Sequence, residues 1–189
     1  VAPDVDLTTN ATPDQILELI KGKVDTHWEI GKEYGTIGCR IGNDQIEITT
    51  YRTDAYDKDS RKPEVRFGTD LVEDLKRRDF TVNSMALRLP ERVFVDPFGG
   101  LRDLMDQVLK TPGKPEDSFG DDPLRMMRGA RFVSQLGFEI EPETFEAMGA
   151  MRERMSIISA ERIQAELQKL MLGAFPRKGL EALVDSGLA

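Results

Sequence analysis

Asp4 and Asp6 stand one residue apart in the run Asp-Val-Asp-Leu-Thr-Thr, among Val5, Leu7, Thr8 and Thr9, which favour strand. On a strand, residues i and i+2 point to one face with their Cα atoms roughly 6.5–7 Å apart, so both acids aim at one small volume. Glu47, on the second strand of an expected hairpin, offers a third oxygen donor from next door. Three converging carboxylates repel unless a cation sits between them, and oxygen-only ligation without His or Cys favours Mg²⁺ or Mn²⁺. Such a cage can hold two metals about 4 Å apart for phosphoryl transfer, one activating an attacking hydroxyl and one gripping a triphosphate. The plainer alternative is a solvated strand end and an exposed sheet residue. The pattern alone leaves both open.

A second constellation lies in residues 121–132, Asp-Asp-Pro-Leu-Arg-Met-Met-Arg-Gly-Ala-Arg-Phe. Acids and Pro123 suit a first helical turn. Arg125, Arg128 and Arg131 then recur every third residue, so each neighbours the next on the helix surface, with Asp122 beside Arg125. An Asp and an Arg side by side present acceptors and a fork of donors, a match for the edge of a nucleobase, and the other guanidiniums suit phosphates. Capping, a local ion pair and snorkelling arginines are the structural alternative. Residues 77–86, Arg-Arg-Asp-Phe-Thr-Val-Asn-Ser-Met-Ala, again join arginines to an acid and an amide. Here Asp79 suits ribose hydroxyls, and Arg78 and Asn83 suit phosphate or sugar.

These groups need elements to hold them. Thr12-Pro13-Asp14-Gln15 marks a helix start before Ile16, Leu19 and Ile20, so the acid pair ends a strand that leads into a helix. Tyr34–Ile41 and Gln45–Arg52 alternate around a turn at Gly42-Asn43-Asp44, which predicts a hairpin carrying Glu47. Residues 53–69 are polar and aperiodic and read as a long mobile loop. Residues 70–77 suit a short helix, and 80–89 and 92–96 suit two strands joined around Pro90-Glu91. Beyond Asp96-Pro97-Phe98-Gly99-Gly100 everything reads as helix: about 100–109, 122–136, 142–155, 159–172 and 177–186. A domain boundary is expected near Thr111-Pro112-Gly113, separating 1–112 from 113–189. Of the remaining singletons, His27 and Trp28 are expected to pack partly buried, Cys39 to lie in the core, Met126, Met127, Met148, Met151 and Met155 to pack between helices, and Phe98-Gly99-Gly100 to form a linking turn.

The 189 residues, 39% of them hydrophobic, support a real core. With 26 basic and 34 acidic residues the net charge is -8, which argues against a protein that coats nucleic acid by charge alone, so RNA contact must be local. One cysteine forms no internal disulfide and one histidine builds no Cys/His zinc cluster, which suits a reducing cytoplasm. No apolar run approaches the ~20 residues that span a bilayer. No leader precedes the first helix signal, and a chain that begins at Val1 is expected to start inside a longer protein.

Taken together, Asp4–Asp14, Ile46–Arg52, Arg77–Ala86, Asp96–Leu104, Asp121–Phe132 and Ser159–Leu170, in this order and spacing, closely resemble bacterial class II tRNA nucleotidyltransferases and their poly(A) polymerase relatives. The resemblance spans essentially the whole chain. It implies an α+β fold: a DNA polymerase beta-like palm followed by an all-helical neck. By the same resemblance Asp4 and Asp6 hold the metals, with Glu47 as third carboxylate and Mg²⁺ or Mn²⁺ as cofactor. Arg78, Asp79 and Asn83 discriminate ribose, and Asp122 and Arg125 pair with incoming C or A in place of a nucleic-acid template. Arg128 and Arg131 lie near phosphates or base, Glu161 and Arg162 support the template helix, and residues 53–66 match a loop associated with the switch from C to A.

The implied reaction is transfer of CMP and AMP from CTP and ATP to the 3′ end of tRNA, in the cytoplasm and without a membrane partner. Poly(A) polymerase activity, addition of only C or only A, and a non-catalytic RNA- or nucleotide-binding module are the competing readings. Two departures stand out. The family's Gly-Gly and Val-Arg-Asp segment would precede Val1 and its helical body would follow Ala189, so the chain is expected to be a central fragment with little or no activity. Asp121 stands where the family usually has Glu.

Overall fold

Gly42 and Asn43 reverse the chain as expected, and the strands on either side organise the first part of the fold. The computed structural model describes residues 4–55 and 64–189, and the chain forms two compact units, residues 1–77 and 78–189. Among the described residues no helix is long and apolar enough to cross a membrane.

In the first unit, β1 (Asp4–Thr9) leads into α1 (Pro13–Ile20), whose start is closed by a reciprocal cap: Thr12 Oγ1 accepts from Gln15 N–H and Gln15 Oε1 accepts from Thr12 N–H at 2.9 Å. β2 (Thr26–Trp28), β3 (Thr36–Ile41) and β4 (Asp44–Thr50) complete a four-stranded sheet of order β1-β4-β3-β2. β1 runs parallel to β4 and the other pairs are antiparallel. Ile16, Ile37 and Cys39 are buried. Trp28 faces Gly38 across the β2–β3 register, and a Cβ on Gly38 would stand 2.0 Å from the indole, so glycine makes the room for that ring. Trp28 is half-buried, but its neighbour His27 is exposed, against the expected partly buried pair: successive strand residues face opposite sides, and only Trp28 turns to Gly38.

The polar stretch expected as one long loop contains two antiparallel strands, β5 (Arg52–Ala55) and β6 (Glu64–Phe67), before α2 (Leu71–Lys76). Residues 56–63 of that loop lie outside the described residues. The acid pair stands at the described start of β1 rather than at its end.

The second unit is helical around a small amount of strand. Phe80 enters a 3-10 turn at Thr81–Asn83 where strand was expected. The backbone turns inward there because Thr81 N–H donates to Lys110 O and the Ser84 hydroxyl to Phe80 O. β7 (Ala86–Arg88) and β8 (Val93–Val95) pair antiparallel, and α3 (Gly100–Asp106) follows. β9 (Val108–Leu109) pairs in parallel with β10 (Glu139–Ile140), strands too short to show a period. The helices are α4 (Pro115–Asp121), α5 (Leu124–Leu136), α6 (Pro142–Ala150), α7 (Ala160–Met171) and α8 (Pro176–Asp185), with a 3-10 turn at Arg152–Ile157.

α5 feeds all three apolar clusters of this unit. Leu124, Met127 and Ala130 pack with Leu170 and Leu183, Met126 with Phe119, Ala147 and Met148, and Val133 with Phe80, Leu109 and Phe138. A helix buried on so many sides is held rigidly, which fits it to carry side chains that must point accurately. Segment 78–112 packs within this unit, since Phe80 and Leu109 are core partners of α5.

Gly100 starts α3 against the turn, where an added Cβ would stand 2.1 Å from Thr81 O. Gly100→Ala is therefore expected to destabilise the protein by about 3 kcal/mol, because backbone rather than a flexible side chain must yield. A chemical denaturation curve checks this, and a loss under about 0.5 kcal/mol, the range of ordinary surface changes, would show that the turn gives way easily.

Candidate functional site

In the first unit the site begins with strand register. Asp6 and Glu47 are direct partners across the parallel β1–β4 pair. Parallel neighbours lie roughly 4.8 Å apart and their side chains leave the sheet on one face. Both residues are exposed, so two carboxylates stand side by side at the surface. Asp4 precedes Asp6 by two residues on β1 and its backbone pairs with Gln45; its side chain lies outside the described residues. Among the described residues no three carboxylate, imidazole or thiol side chains gather closely enough to hold an ion. The two that are placed are hard oxygen donors.

In the second unit Asp79 is 7% exposed and sits at the entry to the 3-10 turn. Its Oδ1 accepts from Phe80 N–H at 2.9 Å and from Asn83 Nδ2 at 3.0 Å. Its Oδ2 accepts from Arg128 Nε at 2.8 Å and also from Arg128 Nη2. Burial alone would raise its pKa, but the Arg128 charge and these hydrogen bonds outweigh it and hold the carboxyl below its usual range. The sign follows: this contribution to stability is complete above the unfolded carboxylate pKa and is lost as pH falls through the depressed folded value. Arg78 Nη1 donates to Asn83 O at 3.4 Å, so the 78–83 segment is bonded to itself.

On α5 the three arginines part company. Arg125 is buried and its Nη1 donates to the Ser118 hydroxyl at 3.0 Å and to Ser118 O at 3.3 Å. Arg128 is half-buried and turns to Asp79. Arg131 is buried against Glu166 of α7, Nε to Oε2 at 3.2 Å, an ionic contact whose alignment does not make a hydrogen bond. Its guanidinium lies 4.3 Å from the Phe132 ring centroid, and that of Arg128 lies 5.5 Å from the same ring. Burial lowers the Arg131 pKa first; Glu166 opposes this, and like-charged Arg128 adds to it.

Asp122 ends α4 and opens α5. Its Oδ1 accepts from Leu124 N–H at 3.1 Å, and its Oδ2 accepts from Arg162 Nη2 at 3.0 Å. Pro123 stands at the N-cap position of α5 and makes no side-chain cap, so Asp122 serves the first turn only through Leu124 N–H, and its side-chain ion pair runs to α7 rather than to Arg125. Glu161, exposed in the first turn of α7, has its carboxyl held below the usual range by its own backbone N–H and by the Ser159 hydroxyl. The sequence reading missed Glu166, Ser118 and Phe132. The i, i+4 spacing of Arg162 and Glu166 was the available signal, because it puts both on one side of α7.

With two strand-borne carboxylates in one unit and a buried, ion-paired arginine helix in the other, the chain was compared with known proteins. Residues 1–110 match the family described as the poly A polymerase head domain. The chain belongs to the poly(A) polymerase head-domain family. Residues 137–189 match a second family, described as the probable RNA and SrmB-binding site of polymerase A. The CCA-adding enzyme of Bacillus velezensis is 45% identical over 186 residues, which cover 98% of this chain and 46% of that protein, and the Bacillus subtilis enzyme matches equally.

The solved Bacillus stearothermophilus CCA-adding enzyme in complex with CTP superposes with a TM-score of 0.87 at 35% identity, over 98% of this chain and 44% of its own. The Thermotoga maritima CCA-adding enzyme complexed with tRNA gives 0.80 at 26% identity, over 100% of this chain and 43% of its own. The chain therefore spans less than half the length of these relatives. Its fold is the expected α+β one, a mixed sheet with helices followed by a helical segment.

Proposed function

We propose that this head-domain family member works, within an intact nucleotidyltransferase, in template-independent addition of CMP and AMP to the 3′ end of tRNA in the cytoplasm, with CTP and ATP as donors. The observation that carries the reading is the in-register pairing of Asp6 with Glu47 on adjacent parallel strands, in a chain whose solved relatives include CCA-adding enzymes bound to CTP and to tRNA.

The terminal ribose hydroxyl attacks the α-phosphate, the new bond joins that oxygen to phosphorus, and the bond to the β-phosphate oxygen breaks to release pyrophosphate. The hydroxyl proton passes to a carboxylate, Asp6 or Glu47. Exposed oxygen donors from adjacent strands fit a hard divalent cation, so Asp4 and Asp6, with Glu47 beside them, are the residues that would hold Mg²⁺, or Mn²⁺ in its place. When bound, such ions supply Lewis acidity and neutralise charge on the phosphates.

Asp122 and Arg125 select the base. C and A carry an exocyclic amino donor where U and G carry a carbonyl, so a carboxylate acceptor matches the first pair and opposes the second. Arg162 and Ser118 steady the two readers, with Glu161 beginning the α7 turn that carries Arg162. Arg78, Asp79 and Asn83 with Arg128 and Arg131 form the sugar and phosphate end.

Sequencing the products that the intact protein makes from tRNA lacking its CCA end tests this. Completion of CCA followed by arrest is expected. A homopolymeric A tail, or C alone, would replace the reading with poly(A) or partial addition, and binding without incorporation would replace it with a non-catalytic module. In the same assay Asp122→Ala is expected to raise misincorporation of UMP and GMP relative to CMP and AMP by about tenfold or more, the cost of one charged hydrogen bond. Unchanged base ratios would remove Asp122 from the selecting role.

A further inference from the structure

Strand register carries the row of the acid pair further across the first sheet. Asp6 pairs with Glu47, Glu47 with Gly38, and Gly38 with Trp28, so one line of residues runs from two carboxylates to an indole. Direct partners leave a sheet on one face. Ile37 and Cys39, the neighbours of Gly38 along β3, point to the other face and are buried there. The polar face therefore holds Asp6, Glu47 and Trp28 together, with exposed Arg40 two residues beyond Gly38 on the same side. To bury a tryptophan, β2 would turn it towards Cys39, where His27 points instead.

A Cβ on Gly38 would stand 2.0 Å from both Cε2 and Nε1 of Trp28 and 2.5 Å from Cζ2, so the ring lies across the glycine backbone. One side of the indole is spent on that contact. Trp28 is nevertheless only half-buried, which leaves its outer side open. Adjacent strands are roughly 5 Å apart, so the ring lies a single strand spacing from Glu47.

We propose that the outer side of the Trp28 indole is a stacking platform for the last base of the single-stranded RNA end whose terminal hydroxyl Asp6 and Glu47 serve. The assignment rests on the nucleotidyltransfer reading. The attacking hydroxyl and the base hang from one ribose, so a platform beside Glu47 catches the base while the hydroxyl faces the acids. Stacking uses no hydrogen-bonding edge and accepts any base. That suits an end whose last base changes as nucleotides are added. Arg40 offers a guanidinium to the phosphate behind that base, and an aromatic face beside a cation is the usual means of holding a single strand.

The test measures dissociation constants of the intact protein for two tRNAs that lack the final A, one natural and one whose last nucleotide is abasic but keeps its ribose hydroxyl. Wild type is expected to bind the abasic RNA about tenfold more weakly, the loss of one base–aromatic stack. Trp28→Leu keeps an apolar cover on Gly38 but removes the ring face. It is expected to weaken the natural RNA by the same factor and to bind the abasic RNA as wild type does, since both changes remove one contact. Equal weakening of both RNAs by Trp28→Leu would make the indole a purely structural cover and overturn the proposal. Should Trp28→Leu not fold, wild type decides alone: equal affinity for the two RNAs overturns it. A wild-type protein that binds the natural RNA but adds no nucleotide to it would instead sink the nucleotidyltransfer reading.

Discussion

Asp6→Asn is expected to lower turnover in CCA addition by about a thousandfold while leaving the melting temperature unchanged. The two halves of that expectation come from different facts. Asp6 is exposed and stands beside Glu47 on the parallel partner strand, so the substitution removes charge repulsion and opens no cavity. The same charge is what would hold a cation and stabilise the transferring phosphoryl group, and removal of one such electrostatic element costs on the order of a hundred- to a thousandfold. Single-turnover kinetics with a tRNA lacking its terminal A separates the chemical step from binding. Turnover within tenfold of wild type would remove Asp6 from the chemistry.

Glu166→Ala is expected to cost about 3 kcal/mol of stability, the largest loss for any single side-chain truncation argued from this fold. Both partners of the pair are nearly closed to water, with side-chain exposures of 9% for Arg131 and 7% for Glu166, so no discount for solvent screening applies. Truncating one partner leaves a buried guanidinium uncompensated, and that penalty exceeds what the pair itself contributes. A control follows from the same physics: Glu166→Leu combined with Arg131→Met is expected to recover most of the loss, because the orphaned charge is gone. Chemical denaturation reads both, and a single-variant loss under about 1 kcal/mol, or a double variant no better than the single, would show that the pair is solvated.

Most of the α+β architecture was legible where local chemistry is strong. The Thr12–Gln15 cap, the Gly42-Asn43 turn and the helix signal over 122–136 each announce their element, and each is present, the last as Leu124–Leu136. Several other places were not legible. The 80–89 run has strand-forming residues, but Thr81 N–H finds Lys110 O, a tertiary partner that no propensity encodes. β5 and β6 form a polar two-stranded ribbon, which lacks the apolar alternation that marks a half-buried strand. α4 is seven residues long, enough for a single Pro signal but not for a period.

The candidate site divides in the same way. The i, i+2 spacing of the acids and the hairpin carrying Glu47 could be read directly, whereas Arg162 reaches Asp122 across 40 residues and Arg131 selects Glu166 from another helix. Side-chain pairings of that range depend on packing, which spacing along the chain does not reveal.

The strand order also fixes an order of events during synthesis. β3 and β4 are joined by a tight turn and can zip together within microseconds, but β1 reaches β4 only across a separation of 41 residues. Closing that span is the slower step, since its entropy must be lost before any ladder bond repays it. Asp6 and Glu47 become neighbours at that late moment, so the proposed cation site takes shape only once the first strand has docked.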